Sequence, residues 1–311
     1  MLDKIKSVMI GHAIGDALGV PVEFNTRDSL KERPVTKMTG FGTYNVPAGT
    51  WSDDTSMSLC ALESLKDGDT KYDDIMENFC KWYYNDQFTA TGVMFDVGNT
   101  CADAVENYFK LRCTPLKCGS KSVNSNGNGS LMRIHPFVLY AYCNSIAGND
   151  LTAIIRDASS LTHAHNISID GCIIYAHILI EILKNPSKAS IYNGICQATY
   201  NISHESKECY ARLLDNGFAT TIESKIKSSG YIVDSLEAAV WCLLTTDNYV
   251  DCVLKAVNLG GDTDTIGAIA GGLAGALYGV GSIPTEWLES LKNISYIDDL
   301  CESAHKKWSE K

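Results

Sequence analysis

Residues 260–279, GGDTDTIGAIAGGLAGALYG, decide the fold. Ile266, Ile269, Ala270, Leu273, Ala274 and Leu277 recur at helical spacing, and Gly267, Gly271, Gly272 and Gly275 fill much of the remaining circumference. A glycine inside a helix costs roughly 1 kcal/mol relative to alanine, so this many require a compensating close approach of neighbouring backbone. The pattern predicts a buried helix packed tightly on several sides. Its leading end carries Asp262, Asp264 and Thr265. On a regular helix the two carboxylates would diverge, but in the first turn one can cap while both converge. Simple capping is one reading; two carboxylates exceed what a cap requires, and a hard cation would account for the excess.

A second oxygen cluster of the same layout stands at residues 51–55, WSDDT, where another helical run begins with Met57, Cys60, Ala61 and Leu65 on its inner face. Adjacent like charges repel, and a single one suffices for a cap, so Asp53 and Asp54 each call for a separate partner. Ser52, Asp53, Asp54, Asp262, Asp264 and Thr265, with Thr55 nearby, suit oxygen-ligated divalent cations, and a pair of them. No Cys/His cluster with zinc spacing competes.

Working outward, the pattern at residues 3–18 predicts an amphipathic helix ended by Gly19 and Pro21. Glu23 follows between Val22 and Phe24, either turned to solvent or held in a cleft. Residues 26–50 are irregular. Helices are expected near 73–84 and 98–112, with Asp96 beside Gly98 placed as a cap for the second. The polar stretch 114–130 ends in Asn126, Gly127, Asn128, Gly129 and Ser130, then runs into the helical pattern LMRIHPFVLYAY (131–142). Such a loop either closes its N–H groups around a phosphate or is a surface turn, and it is not the P-loop, since no G-K-[ST] ends it. Helical patterns continue near 150–161 and 167–184 with Thr162, His163, Ala164 and His165 at their junction, then near 188–202, 205–215, 234–246, 249–258 and 295–308. Period-two alternation is absent, so the expected class is all-α, in one domain over residues 1–311.

The 311 residues carry a net charge of −11 and no long basic run, which argues against nucleic acid and anionic membrane surfaces as partners. Twelve cysteines are scattered without a C-x-x-C pair, and several fall in apolar helical patterns, as expected of reduced thiols in a cytoplasmic protein. Residues 266–285 are uncharged and long enough to test as a membrane span, but their glycines, Pro284 and the acids at one end favour a soluble core helix.

Six blocks in order now resemble the ADP-ribosylglycohydrolase family: GHAIGDALGVPVEF (11–24), WSDDTSM (51–57), FDVGNT (95–100), NGNGSLMR (126–133), THAH (162–165) and residues 260–279. The resemblance covers nearly the whole chain. It implies a compact orthogonal bundle of helices with a binuclear Mg2+ or Mn2+ centre. It also implies a monomeric enzyme that cleaves ADP-ribose from a protein side chain, arginine or serine, or from a small acceptor. On this resemblance Ser52, Asp53, Asp54, Asp262, Asp264 and Thr265 hold the metals, and Glu23 or an aspartate of the metal shell such as Asp264 exchanges the catalytic proton. Asp96 and Gly98 meet the substrate ribose. Asn126, Gly127, Asn128, Gly129 and Ser130 hold diphosphate and distal ribose, and His163 contacts the substrate. Ser52 stands where many relatives have threonine, which preserves the hydroxyl. Two other classes are compatible with part of this pattern: a non-catalytic, crystallin-like binder of ADP-ribose, and a two-metal hydrolase such as a phosphoesterase.

Overall fold

In the computed structural model, which describes residues 1–310, the helices follow in the order α1 (Leu2–Gly19), α2 (Arg27–Glu32), α3 (Asp53–Leu65), α4 (Tyr72–Asn85), α5 (Asn99–Phe109), α6 (His135–Cys143), α7 (Gly148–Ser160), α8 (Asn166–Lys184), α9 (Lys188–Ala198), α10 (His204–Cys209), α11 (Ile232–Leu244), α12 (Tyr249–Val257), α13 (Thr263–Tyr278), α14 (Thr285–Ser290) and α15 (Ile294–Ser309). Among the described residues the β-structure amounts to two isolated bridges, Ser120 with His163 and Gly127 with Tyr231. The class is all-α, as expected.

The compensation that the glycines of α13 require comes from α1. Gly11, Gly15 and Gly19 recur every fourth residue on α1, and Gly267, Gly271 and Gly275 do so on α13. The two stripes face each other. A Cβ on Gly15 would lie 2.0 Å from the Gly267 carbonyl oxygen, and one on Gly271 would lie 2.2 Å from that of Gly11. Backbone meets backbone along the whole seam, and no side chain fits between. Around it the pair is buried on nearly every side, so α1 is apolar around most of its circumference rather than along one stripe. Tyr249 of α12 adds a hydroxyl bond of 2.7 Å to the Gly11 carbonyl, and the Thr263 hydroxyl satisfies the Gly19 carbonyl at 2.8 Å.

This seam places the end of α1 beside the start of α13, and Asp16 brings in a third terminus. From the middle of the buried α1, its carboxylate accepts the Ser52 and Thr55 N–H groups and, at 2.6 Å, the Thr55 hydroxyl. It thereby caps the N-terminus of α3 from another helix, while the Ser52 hydroxyl accepts the Asp54 N–H at 3.4 Å.

Several element boundaries differ from expectation. The run at 131–142 becomes helical only at His135, because Pro136 lacks an N–H and is accepted only in the first turn; residues 131–134 turn instead, with the Met132 N–H on the Asn128 carbonyl. The expected helix at 205–215 stops at Cys209, and α2 lies within the segment expected to be irregular. Residues 266–285 do not form one span, since α13 ends at Gly279 with φ +82°. Among the described residues the helix long and apolar enough to cross a membrane is α8, and 89% of its apolar window is buried inside the molecule, as a core helix would be.

Candidate active site

Seven acids gather where α1, α3 and α13 converge: Asp16, Glu23, Asp53, Asp54, Asp96, Asp262 and Asp264. All are buried except Asp96 and Asp262, which are half-buried. They form two overlapping groups. Oxygens of Asp16, Asp54 and Asp264 lie within 4.8 Å of one another, as do oxygens of Glu23, Asp96 and Asp264. Asp264 belongs to both.

In the inner group the hydrogen bonds run inward. The Ser52 and Thr265 hydroxyls both donate to Asp54 Oδ2, at 2.9 and 3.4 Å, and the Thr265 N–H donates to Asp264 Oδ1 at 2.9 Å. That leaves Asp54 Oδ1 and Asp264 Oδ2 buried with no partner, and Glu23 Oε2 is orphaned in the same way. No Lys or Arg compensates them: among the described residues no ion pair includes any of the seven acids. Burial, and then the neighbouring carboxylates, push Asp53, Asp54 and Asp264 well above the ordinary carboxylate range. Burial likewise raises Asp16 to about 7, with its hydrogen bonds opposing, and burial followed by the Asp96 charge raises Glu23 to about 8. Asp96 and Asp262 are shifted upward too, again chiefly by burial.

The outer group is carried by loops. Glu23 follows a single turn at Val20–Val22, and the bond from the Phe24 N–H to the Gly261 carbonyl, 2.7 Å, ties this turn to the start of α13. Phe24 has φ +66° and Asp96 φ +53°, both in the left-handed region that non-glycine residues seldom occupy. Asp96 therefore does not cap α5; Gly98 stands at that position without a side-chain cap. The Tyr44 hydroxyl stands beside the Glu23 and Asp96 carboxyls and interacts with both, and its ring packs on Phe95 at 5.0 Å. The cleft reading of Glu23 is the one observed, and the solvent reading is not.

These acids floor one side of a cavity of about 460 Å³ lined by Glu23, Asp53, Asp96, Asp262, Thr265 and, opposite, Gly98, Gly127, Asn128, Gly129 and His163. Asn128 bridges the two sides: its amide nitrogen donates to Asp262 Oδ2 at 2.7 Å and to the Ser235 hydroxyl at 2.9 Å. Asp262 thus uses its carboxylate on Asn128 rather than as a side-chain cap of α13. The Gly127 and Gly129 N–H groups make no hydrogen bond within the described chain, and the uncapped start of α5 opens on the same cavity. Both features suit an anionic ligand. A larger surface groove of about 700 Å³ runs along Thr70–Asp74 and Thr114–Lys117, but it holds none of the seven acids.

Not every residue expected at the site reaches it. Asn126 spends its amide on the Val123 carbonyl and His165 Nδ1 and accepts the Ser168 hydroxyl, so it braces the loop from behind. The fully buried Ser130 meets Ser159 at 3.0 Å and Cys172 at 3.4 Å and points away from the cavity. Asp16 and Tyr44 were missed. Asp16 had a signal, a lone acid inside an apolar helix; Tyr44 had none, because its loop is placed by the contact of Gly42 and Thr43 with the Pro21 carbonyl.

The fold matches a solved ADP-ribosylglycohydrolase-related protein complex with a TM-score of 0.83 and 31% identity, covering 99% of this chain and 98% of that one. The family model for ADP-ribosylglycohydrolase matches residues 1–311, and the chain belongs to that family. It is 33% identical to the ADP-ribosylarginine hydrolase Tri1 of Serratia proteamaculans, over 97% of this chain and 78% of the relative. It is 31% identical to the ADP-ribosyl-[dinitrogen reductase] glycohydrolase of Rhodospirillum rubrum, over 93% and 90%. The chain is accordingly a hydrolase acting on glycosyl bonds.

Proposed function

We propose that the chain hydrolyses the bond between ADP-ribose and an arginine side chain, using two divalent cations, Mg2+ or Mn2+, held among Ser52, Asp53, Asp54, Asp262, Asp264 and Thr265. The carrying observation is the orphaned oxygens of Asp54 and Asp264, buried in a cluster of acids without a compensating cationic side chain. Buried carboxylate oxygens without partners fit divalent cations, and a bound cation would offset the burial and mutual repulsion that raise their pKa values. When bound, such cations polarise substrate oxygens and lower the pKa of water.

The chain's own residues divide the remaining work. Glu23, buried at the cavity wall and raised to about 8 chiefly by burial, holds a proton at neutral pH in the absence of a cation and lines the cavity. It is suited to exchange that proton during bond cleavage. The acid floor stabilises the positive charge that develops at ribose C1 in an oxocarbenium-like state. Asn128 holds Asp262 in place, and the Gly127 and Gly129 amides offer donors to the diphosphate. Arginine is favoured as acceptor by the name of the Serratia relative, an ADP-ribosylarginine hydrolase 33% identical over 97% of this chain.

The test is release of free ADP-ribose from arginine-linked and serine-linked ADP-ribosyl peptides with Mg2+, with Mn2+ and with EDTA. Release from the arginine-linked peptide alone, abolished by EDTA, is expected. No release from either peptide by a protein that binds ADP-ribose would defeat the reading and favour a binder.

A further inference from the structure

Arg133 is a fully buried charge that the chemistry above leaves unused. No carboxylate pairs with it among the described residues, its guanidinium lies over the Phe79 ring at 5.0 Å, and its Nε and Nη1 atoms have no partner. Burying a guanidinium without a counter-ion is costly, and the group does not discard its proton to escape that cost. Its Nη2 donates to the Ala158 carbonyl at 3.1 Å and to the Thr162 hydroxyl at 2.8 Å. Thr162 Oγ1 in turn stands 2.8 Å from His163 Nδ1.

A hydroxyl has one proton to give. Since Arg133 can only donate, Thr162 meets it with a lone pair and keeps its own proton for another neighbour. Two acceptors are in reach, His163 Nδ1 and the Cys101 sulfur. The second lone pair of Thr162 Oγ1 could accept an Nδ1–H instead, but its own proton would then be left to the weak sulfur acceptor. The imidazole nitrogen is much the stronger, which favours donation from Thr162 to Nδ1. Burial, followed by the Arg133 charge, pushes His163 down to about 3, and its ring is neutral at pH 7. With Nδ1 accepting, the ring's single proton resides on Nε2. That atom faces the glycine loop: a Cβ on Gly127 would lie 3.5 Å from Nε2, and one on Gly129 would lie 3.0 Å from Cε1.

We propose that Arg133 and Thr162 are positioning residues that fix His163 as its Nε2–H tautomer, a hydrogen-bond donor to an anionic oxygen of the ligand seated against the loop at 127–129. The Gly127 and Gly129 N–H groups, free within the chain, complete a patch of donors on the wall of the cavity. Arg133 adds a positive charge behind it. The choice of ADP-ribose as ligand rests on the proposed function, whereas the chain of hydrogen bonds does not.

Two readings on wild type, Thr162→Val, Thr162→Ser and Arg133→Met separate these dependences. Long-range 15N NMR of His163 in the ligand-free protein should show the Nε2–H tautomer in wild type and in Thr162→Ser, and a loss of that preference in Thr162→Val. Calorimetry with ADP-ribose should give about tenfold weaker binding for Thr162→Val, restored in Thr162→Ser, as expected for losing one oriented donor to a charged oxygen. An Nδ1–H tautomer in wild type, or unchanged ADP-ribose affinity in a folded Thr162→Val, overturns the proposal. A wild type with the Nε2–H tautomer that fails to bind ADP-ribose would uphold the hydrogen-bond chain and defeat the functional reading instead. Should Arg133→Met fail to fold, the two Thr162 variants carry the test.

Discussion

The two acid groups share Asp264 and are equally crowded, yet they are built in opposite ways. The inner group stands on helices locked by the glycine seam, and Asp16 within it is saturated by the Ser52 and Thr55 N–H groups and the Thr55 hydroxyl. The outer group stands on loops, with Asp96 and the neighbour of Glu23 in left-handed backbone and Glu23 Oε2 unpartnered. Within the inner group only Asp16 is saturated and holds the architecture together; the open oxygens, Asp54 Oδ1 and Asp264 Oδ2 on the rigid helices and Glu23 Oε2 on the loop, are available to a ligand. Asp16 therefore belongs to the framework despite its proximity to Asp54, and Glu23, on the function proposed above, to the chemistry.

Replacing the residue common to both groups should have the largest effect. Asp264→Asn removes a charge while keeping shape, and turnover of an arginine-linked ADP-ribosyl peptide should fall by about a thousandfold, with divalent-cation affinity falling alongside. Near-normal turnover, measured at saturating Mg2+, would remove Asp264 from the centre of the site and dissolve the distinction between the groups.

The two groups can then be separated by one variant in each. Glu23→Gln should cost about a hundredfold in turnover, within the range of a lost proton-transfer group, and leave the melting temperature unchanged or raised, since an orphaned buried acid is removed. Asp16→Ala should do the reverse. Leaving the α3 N–H groups and the Thr55 hydroxyl without an acceptor costs about 2–4 kcal/mol of stability, while turnover per folded molecule stays within about tenfold. Thermal melts and active-site-normalised rates on both proteins decide it; a stable but inactive Asp16→Ala would place Asp16 among the groups that act on the substrate.

The same contrast explains what the sequence could disclose. The glycines of α13 announced a close backbone partner, and the matching period of four at Gly11, Gly15 and Gly19 was legible as well, but only a fold could show that the two stripes meet. The acids at 53, 54, 262 and 264 were visible because two to a helix start exceed capping. Asp96 read as a cap because local spacing cannot reveal a left-handed φ that turns the carboxylate elsewhere. Tyr44 was invisible, since a loop tyrosine acquires its meaning from where tertiary contacts carry the loop. Asn126 and Ser130 lie in a motif whose glycines face the cavity, and side-chain direction within such a loop is set by packing against Ser159, Ser168 and Cys172 rather than by motif position.

The smallest expected effect is a crossing of two stability curves. Glu23 rises from 4.5 to about 8 and Asp16 from 3.8 to about 7 in the cation-free fold, and Asp53, Asp54 and Asp264 shift in the same direction. The buried His12, His135 and His163 are shifted the other way and oppose this below pH 6.5. It is above that pH that the folded chain binds more protons than the unfolded one, and stability declines as pH rises through the folded values of about 7 and 8. Each proton held in excess contributes a slope of about 1.4 kcal/mol per pH unit. A divalent cation competes with those same protons, so it stabilises most where the acids are ionised and loses its effect as pH falls. Melting temperatures measured upward from pH 6.5, the ordinary histidine value, to about 8 should therefore decrease with pH in EDTA and increase with pH at saturating Mg2+. A rising curve in EDTA would mean that the acids are already ionised and held by donors of the chain itself, and the orphaned oxygens of Asp54 and Asp264 would then need no cation to account for them.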